Sequence, residues 1–207
     1  MTGPELVALL SAALPRLSAA AEELRELDAA LGDGDLGITV GKGCAAVVEA
    51  VSGLAEPRPA AVLKTAGSAF SSANPSTMAA LVGGGLLAAA KAVGDAEALD
   101  RTSAVLVGRS AAERITARGK AEPGDKTVLD ALLPSLDALE QAHDDDGPAA
   151  LQAMVAAAQQ GVTDTAPLVS QRGRAAWVGE RGAGRPDPGA TAYVRLLQAL
   201  ADSWTAR

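Results

Sequence analysis

Aromatic residues are scarce in this sequence of 207 residues: they make up 2% of it, whereas apolar residues as a whole make up 48%. A sizeable core must therefore be built mainly from alanine and leucine, which favour helices and suit close packing between them. Alternating β-branched and aromatic residues, which are typical of strands, are absent from the sequence. We predict one all-α domain over residues 1–207, since single domains commonly reach this length.

Cysteine and histidine are represented by one residue each, Cys44 and His143. A lone cysteine cannot form a disulfide within the chain or a cysteine-based metal site, and we interpret Cys44 as a small buried helix residue. His143 lies beside the acidic run 144–146, which predicts a solvated turn. We therefore expect no catalytic histidine in this chain.

Basic residues are outnumbered, with 18 Lys and Arg against 25 Asp and Glu and a formal net charge of −7. This balance argues against a surface that binds nucleic acid. No apolar run is long enough to cross a bilayer, and the N-terminus lacks the basic start of a secretory signal. We expect a cytoplasmic protein that binds neither nucleic acid nor membrane and recognises polyanions through helix ends, hydroxyls or a metal ion.

Helical periodicity predicts about eight helices separated by turns that contain glycine and proline. Thr2 and Glu5 have the spacing of a capping box at the start of the first helix. Asn74 is the predicted cap of the fourth helix and Asp125 that of the sixth. The irregular segment 171–187 has a length that is often functional in compact domains. The predicted helices cover approximately residues 4–31, 37–51, 59–71, 75–93, 97–117, 126–139 and 147–170, with the last beginning at 188.

Three aspartates, Asp28, Asp33 and Asp35, are close together in the sequence. Asp28 lies four residues after Leu24, on the apolar face of the first helix, where a carboxylate must be paired, protonated or bound to a metal. Asp33 and Asp35 follow in a glycine-spaced loop that can fold back toward it. Converging carboxylates repel one another unless a cation lies between them, and Mg²⁺ suits such ligands. Alternatively, Asp35 caps the second helix and Asp33 lies in an ordinary turn, but the position of Asp28 favours the metal site.

Three segments of the sequence resemble the L subunit, or C-terminal nucleotide domain, of the dihydroxyacetone kinases: residues 27–37, 119–127, and 173–181 leading into 187–191. The resemblance covers essentially the whole chain and implies a closed, antiparallel eight-helix barrel or bundle that binds a nucleotide at one end. It also implies that Asp28, Asp33 and Asp35 bind two Mg²⁺ ions, which bridge the phosphates of ATP or ADP. A Walker-type loop with its lysine is absent from the sequence.

The resemblance places a further set of residues near the nucleotide: Leu36, Gly37, Thr39, Ser76, Thr77, Gly119, Thr127, Val128, Arg174, Arg181, Asp187, Pro188 and Gly189. Ser76 and Thr77 lie in the first turn of a predicted helix, where free amides and the helix dipole favour an anion. Arg174 and Arg181 are expected beside phosphate or adenine, although a surface salt bridge is the alternative for each. Asp187 equally fits a simple helix cap.

The sequence departs from the family pattern at two places. Leu36 stands where the family usually has a histidine, and Thr39 stands where an asparagine follows. Residues 74–77 replace a Gly-Gly-Ala-Ser-Gly stretch that contacts phosphate. By the resemblance, positions 36 and 39 lie against the nucleotide, so these departures predict a different nucleotide affinity or metal environment. They leave open a divergent subfamily that acts on a small keto sugar other than dihydroxyacetone, such as a tetrulose.

The family holds its sugar on a separate K subunit or domain, through a histidine of that partner, and nothing in this sequence resembles that module. The resemblance therefore implies a kinase subunit that needs a K-type partner. Its phosphoryl donor is free ATP or a nucleotide rephosphorylated in place by a phosphotransferase-system protein. Two other functions fit the sequence: a nucleotide-loaded regulatory module that binds a transcription factor without turnover, and a structural bundle whose Asp loop is only a capped turn.

Overall fold

The computed structural model describes residues 1–142 and 147–205, and this part of the chain is all-α, as predicted. It contains ten α-helices and one short 3₁₀ helix, with no strand beyond an isolated bridge between Thr2 and Ala98. The helices are α1 Gly3–Ala19, α2 Ala21–Ala29, α3 Leu36–Ser52, α4 Pro59–Ala73, α5 Thr77–Val93, α6 Arg101–Gly119, α7 Leu129–Glu140, α8 Gly147–Thr165, α9 Ala175–Val178, the 3₁₀ helix Gly179–Gly182 and α10 Pro188–Thr205. His143 and the acidic run 144–146 lie outside the described residues.

Eight of these helices form a closed ring of contacts. The ring runs from α1 to α3, through each successive helix to α8, then to α10 and back to α1. The helix α2 takes no place in the ring and packs against α3 and α10. This closure agrees with the eight-helix fold expected from the family resemblance.

The described residues contain two large clusters of buried side chains and a small third one, formed by Leu63, Ala89 and Ala90. The first is contributed mainly by α1, α3 and α4, and the second mainly by α6, α7 and α8. The helix α10 joins the two, since its Ala192 and Ala199 belong to the first cluster and its Val194 and Leu197 to the second. Cys44 is buried in α3, as predicted, with 1% of its surface exposed. Among the described residues, no helix is long and apolar enough to span a membrane.

The predicted first helix is in fact two helices, which meet at Ala20. The backbone N–H of Ala20 bonds to Leu17 O at 3.0 Å, and α2 begins at the next residue. The turn brings the start of α2 against α3. The two helices are so close that a Cβ added at Gly37 would lie 2.1 Å from Ala21 O. The predicted capping box is present at the start of α1, where the Glu5 carboxylate accepts a bond from Thr2 N at 2.6 Å.

Two predicted helix caps were wrong. The N-cap of α5 is Ser76, whose hydroxyl accepts a bond from Ala79 N at 3.1 Å, whereas Asn74 ends α4. The N-cap position of α7 is Val128 rather than Asp125, and the Asp125 carboxylate instead accepts bonds from Glu122 N and Arg172 Nε.

The segment after α8 also differs from the prediction. The helix α8 ends at Thr165 instead of reaching residue 170. The stretch 171–187, predicted to be irregular, contains α9 and the 3₁₀ helix.

Candidate functional site

The three aspartates converge at the junction of α2 and α3. Asp28 lies in the last turn of α2, Asp33 in the connecting loop, and Asp35 directly before α3. One carboxylate oxygen from each lies within 4.8 Å of the others. The loop therefore folds back toward Asp28, as the glycine spacing predicts.

Local backbone geometry explains the Gly-Asp-Gly-Asp pattern of this loop. The Asp28 carbonyl accepts a bond from Gly32 N at 2.5 Å, and a Cβ added at Gly32 would lie 2.9 Å from Asp28 Oδ1. Gly34 has φ of 73°, in the left-handed region that favours glycine. The two glycines thus leave room for the Asp28 carboxylate and turn the chain so that Asp35 follows it closely.

Asp28 has a different environment from its two neighbours. It is partly buried, and its Oδ2 accepts a bond from Leu36 N at 3.1 Å. Burial is the largest influence and raises the pKa of Asp28, the bond from Leu36 lowers it, and the charges of Asp33 and Asp35 raise it further. Because neighbouring negative charge makes ionisation of Asp28 unfavourable, a cation held among the three carboxylates would relieve this repulsion.

Arg174, which precedes α9 in the chain, supplies positive charge at the aspartates. Its guanidinium pairs with Asp33 and lies 3.6 Å from Asp35 Oδ2. The charge of Asp33 is the main cause of a raised pKa for Arg174. Arg181 is exposed on the 3₁₀ helix. Of the two arginines expected beside phosphate or adenine, the structure therefore brings Arg174 to the acidic loop.

Three of the residues expected near the nucleotide lie in the first turn of α3. Leu36, Gly37 and Thr39 are all buried, and Gly37 is packed closely against α2. The Thr39 hydroxyl accepts a bond from Asn74 Nδ2 at 2.8 Å. This bond connects α3 with the α4–α5 junction, beside which Ser76 and Thr77 begin α5.

A second group of expected residues lies on the loops before α7 and α10. Thr127 N donates to Asp130 Oδ2 at 2.7 Å, Val128 is the N-cap residue of α7, and Gly119 ends α6. Asp187 is buried and accepts a bond from Ala190 N at 2.7 Å, next to Pro188 and Gly189. The helix-cap alternative for Asp187 is therefore present, and burial raises its pKa to about 6.

Residues 30–202 match the family model of the DAK2 domain. The chain belongs to the DAK2 domain family. This DAK2 domain is 33% identical over 186 residues to the PEP-dependent dihydroxyacetone kinase, ADP-binding subunit DhaL, of Escherichia coli, with 89% of each chain covered. It is 36% identical over 208 residues to D-erythrulose kinase of Mycolicibacterium smegmatis, covering 98% of this chain and 36% of the kinase.

The DAK2 domain is also similar to a solved structure, the dihydroxyacetone kinase from C. freundii in complex with AMP-PNP and Mg²⁺. The TM-score is 0.76 at 26% identity, covering 96% of this chain and 34% of that one. The DAK2 domain thus spans most of the DhaL subunit but only about a third of these longer kinases. The resemblance identified from three sequence segments is confirmed.

Two buried charged residues of the DAK2 domain escaped the sequence analysis as individual residues. Lys126 has 1% of its surface exposed and donates three hydrogen bonds to main-chain carbonyls. Asp130 accepts bonds from Gly124 N at 2.5 Å and from Thr127 N, and so closes the loop that contains Lys126. Residues 119–127 are one of the three family segments, but the spacing gives no sign of acceptors so distant in the chain.

Proposed function

We propose that this chain, as one domain over residues 1–207, is the nucleotide- and Mg²⁺-binding subunit of a dihydroxyacetone-type kinase of the cytoplasm. It transfers a phosphoryl group to a small keto sugar held by a separate K-type subunit. The observation that carries this proposal is the convergence of Asp28, Asp33 and Asp35, with Arg174 on the last two, in a DAK2 domain.

The three carboxylates fit a magnesium site, because they are hard oxygen ligands whose atoms approach within 4.8 Å. Asp28, Asp33 and Asp35 would hold the metal, and we propose two ions by resemblance to the family. Bound Mg²⁺ offsets the charge of the phosphates and favours in-line transfer of the terminal phosphoryl group. Several Mg²⁺ ligands come from the nucleotide itself in such sites, which is consistent with a cluster of only three protein carboxylates.

The chain's own groups orient the phosphates. Arg174 pairs with Asp33 and is half exposed, so its planar guanidinium can exchange a carboxylate for a phosphate oxygen. The first turn of α5, with Ser76 as its N-cap, offers backbone amides to an anion. The remaining residues expected at the nucleotide, among them Arg181 and Gly119, are proposed contacts on the same family resemblance.

The sugar and the donor are proposed from the named relatives. The DhaL subunit of Escherichia coli is named for dihydroxyacetone and PEP, and two relatives of Mycolicibacterium smegmatis are erythrulose kinases. Dihydroxyacetone and the tetrulose erythrulose are therefore the substrates to test. The donor is free ATP, or ADP rephosphorylated in place by a phosphotransferase-system protein.

A regulatory module that binds a transcription factor without turnover is the second candidate. The observation that favours it is the substituted phosphate region, where Asn74 bonds to Thr39 and Ser76 caps α5. It predicts stable binding to a partner and no nucleotide consumption with any K-type subunit and keto sugar.

Calorimetric titration of nucleotide-free protein with ATP and ADP, in Mg²⁺ and in EDTA, tests the site. Binding is expected only with Mg²⁺ and is expected to be lost in Asp33→Ala. The matched control is Asp137→Ala, which removes an exposed aspartate of α7 that pairs with Arg109. Equal binding by wild-type protein and Asp33→Ala would contradict the proposed site. Phosphorylation of dihydroxyacetone or erythrulose with a K-type subunit then separates the kinase from the regulatory module.

A further inference from the structure

Lys126 is a buried cation whose bonds are to main-chain oxygens. With 1% of its surface exposed, its Nζ donates to the carbonyls of Ala166 at 2.9 Å, Leu168 at 2.8 Å and Gly182 at 2.9 Å. Three acceptors match the three N–H bonds of an ammonium group. The lysine therefore joins three points of the backbone that are distant from it in the sequence.

The three carbonyls flank the segment that contains Arg174. Ala166 and Leu168 follow α8 and precede Arg174, whereas Gly182 ends the 3₁₀ helix beyond it. A further backbone bond, from Gly184 N to Ala166 O at 2.8 Å, closes the two ends of the segment on each other. The Lys126 ammonium thus holds both ends of the loop whose middle carries the arginine.

Asp125 adds to this attachment from the neighbouring position. Its carbonyl accepts a bond from Gln171 N at 3.0 Å, and its carboxylate pairs with Arg172 Nε at 2.7 Å. These contacts are made by residues that lie two and three positions before Arg174 in the chain. The loop 121–127 is therefore the support on which segment 166–182 lies.

Apart from the ion pairs of Arg174, few contacts fix the middle of segment 166–182. The helix α9 has no buried residue. Gly173 and Gly179, on either side of it, have φ of 66° and 62°, and a Cβ added at either would meet nothing within 4 Å. Side-chain packing therefore contributes little to fixing α9, and the position of Arg174 depends on its pairs with Asp33 and Asp35 and on the attachments at the ends of the segment.

The backbone conformation at position 126 suits glycine better than lysine. Lys126 has φ of 60°, in the left-handed region that side chains with a Cβ disfavour. The Asp130 carboxylate holds this turn through Gly124 N and Thr127 N. A lysine at a position where glycine would be relaxed indicates that the ammonium group, rather than the turn, requires this residue.

We propose that Lys126 is a positioning residue of the nucleotide site: its ammonium fixes segment 166–182 so that Arg174 lies on Asp33 and Asp35. Its three N–H groups are all used by main-chain carbonyls, so Lys126 acts through Arg174. The proposal rests on the proposed function for its effect on binding, but the attachment itself can be measured without a nucleotide.

A double-mutant cycle on Mg²⁺–ADP binding tests the link between the two residues. Lys126→Met and Arg174→Ala are each expected to weaken binding by about tenfold, as for loss of a bond to a charged group. The double variant is expected to bind no more weakly than the weaker single variant, because both remove the same placed guanidinium. Independent effects, which multiply to about a hundredfold loss, overturn the proposal. If the wild-type protein does not bind Mg²⁺–ADP, it is the proposed function that is contradicted.

Lys126→Gly and Leu136→Ala complete the set. Lys126→Gly removes the ammonium but relaxes the backbone, and it is expected to weaken binding as Lys126→Met does; wild-type affinity in this variant contradicts the proposal. Leu136→Ala destabilises the core of α7 at a residue with 2% exposure, in a hydrophobic cluster that includes no residue of segment 166–182. Leu136→Ala is expected to bind Mg²⁺–ADP with wild-type affinity. If it loses as much affinity as Lys126→Met, the effect of Lys126→Met is explained by lower stability, and the proposal is overturned.

Trp177 reports on the segment directly, in the absence of nucleotide. It is 85% exposed on α9, and Trp204→Phe makes it the sole tryptophan of the two in the sequence. Because Trp177 is exposed, its side chain moves rapidly even on a fixed backbone, so the comparison is between two proteins. Adding Lys126→Met to Trp204→Phe is expected to increase the amplitude of the fast anisotropy decay of Trp177, and equal decays in the two proteins overturn the proposal.

Discussion

The side-chain amide of Asn74 donates a hydrogen bond to the hydroxyl of Thr39 at 2.8 Å, and so ties the α4–α5 junction to the first turn of α3. By the family resemblance, both residues occupy positions of departure, and an asparagine is expected at position 39. The two departures therefore meet in space.

Removing this bond is expected to lower both stability and order at the start of α5. Asn74→Ala and Thr39→Val should each lower the free energy of unfolding by about 1 kcal/mol, a usual value for one hydrogen bond. Because each variant removes the same interaction, the double variant should cost clearly less than the sum of the two. Urea denaturation of the four proteins measures this coupling, and strict additivity would mean that the bond contributes nothing.

Asp28→Asn should separate the charge of Asp28 from its structural role. The amide oxygen can still accept the bond from Leu36 N, while the repulsion from Asp33 and Asp35 that helps raise the pKa of Asp28 is removed. Without Mg²⁺, the variant should therefore be at least as stable as the wild-type protein. Its Mg²⁺-dependent binding of ADP should fall by at least about tenfold, since even changes beyond the direct ligands of a metal cost about 10–100-fold in affinity.

Urea denaturation with and without Mg²⁺, together with calorimetric titration, checks both halves of this prediction. Asp137→Ala serves again as the control aspartate, away from α2 and paired with Arg109. Loss of stability without Mg²⁺ in Asp28→Asn would show that the charge itself holds the α2–α3 junction.

The pH dependence of stability should contain a contribution from Asp187. Burial raises the pKa of Asp187 to about 6, above the value of about 3.9 for an unfolded chain. The folded state therefore binds more protons between these values, and this contribution to stability is complete below about pH 4 and lost as the pH rises through about 6. Near neutral pH the buried carboxylate then costs up to about 2–3 kcal/mol relative to its protonated form.

Asp187→Asn isolates this contribution. The amide oxygen can keep the cap on Ala190 N, but it does not titrate. The difference in unfolding free energy between Asp187→Asn and wild-type protein should grow in favour of the variant from pH 4 to pH 7. Asp28, whose pKa is raised as well, contributes equally to both proteins and cancels. A difference that stays constant with pH would contradict a raised pKa for Asp187.

The features that could be predicted from the sequence are those set by residues close together in the chain. The glycine spacing of residues 32–37 acts within one loop, so the convergence of the aspartates was predictable from it. The break between α1 and α2 at Ala20 was not predicted, because it lies in an alanine-rich stretch with no local stop signal. It is accompanied by a tertiary contact, the close approach of Gly37 to Ala21 O. The role of Lys126 was hidden for the same reason, since its acceptors lie 40 to 56 positions further along the chain.

Asn74 and Asp125 show a second limit. Each belongs to a residue type that favours helix caps, and each is followed within two residues by another candidate for the same helix. Ser76 takes the cap of α5 while the Asn74 amide is used by Thr39, and Asp125 is used by Arg172. The partner that each side chain finds elsewhere in the fold, Thr39 for Asn74 and Arg172 for Asp125, decides its role, and spacing alone does not reveal that partner.

Two glycines of α3 give a matched test of how the aspartates are placed. A Cβ at Gly37 would lie 2.1 Å from Ala21 O, whereas a Cβ at Gly41 would meet nothing within 4 Å. Gly37→Ala should force α2 away from α3 and lower the unfolding free energy by about 1–3 kcal/mol, as overpacking does. Gly41→Ala should raise it by about 0.5–1 kcal/mol, because alanine is the better residue in a helix interior.

The same pair predicts function, because α2 carries Asp28 whereas Asp35 directly precedes α3. Separation of the two helices by Gly37→Ala should move Asp28 from the other carboxylates and weaken Mg²⁺-dependent binding of ADP, while Gly41→Ala should bind as the wild-type protein does. Calorimetric titration at a temperature where both variants are folded makes the comparison. If Gly37→Ala binds normally although it is destabilised, the close approach of α2 and α3 is a packing feature and does not set the geometry of the aspartates.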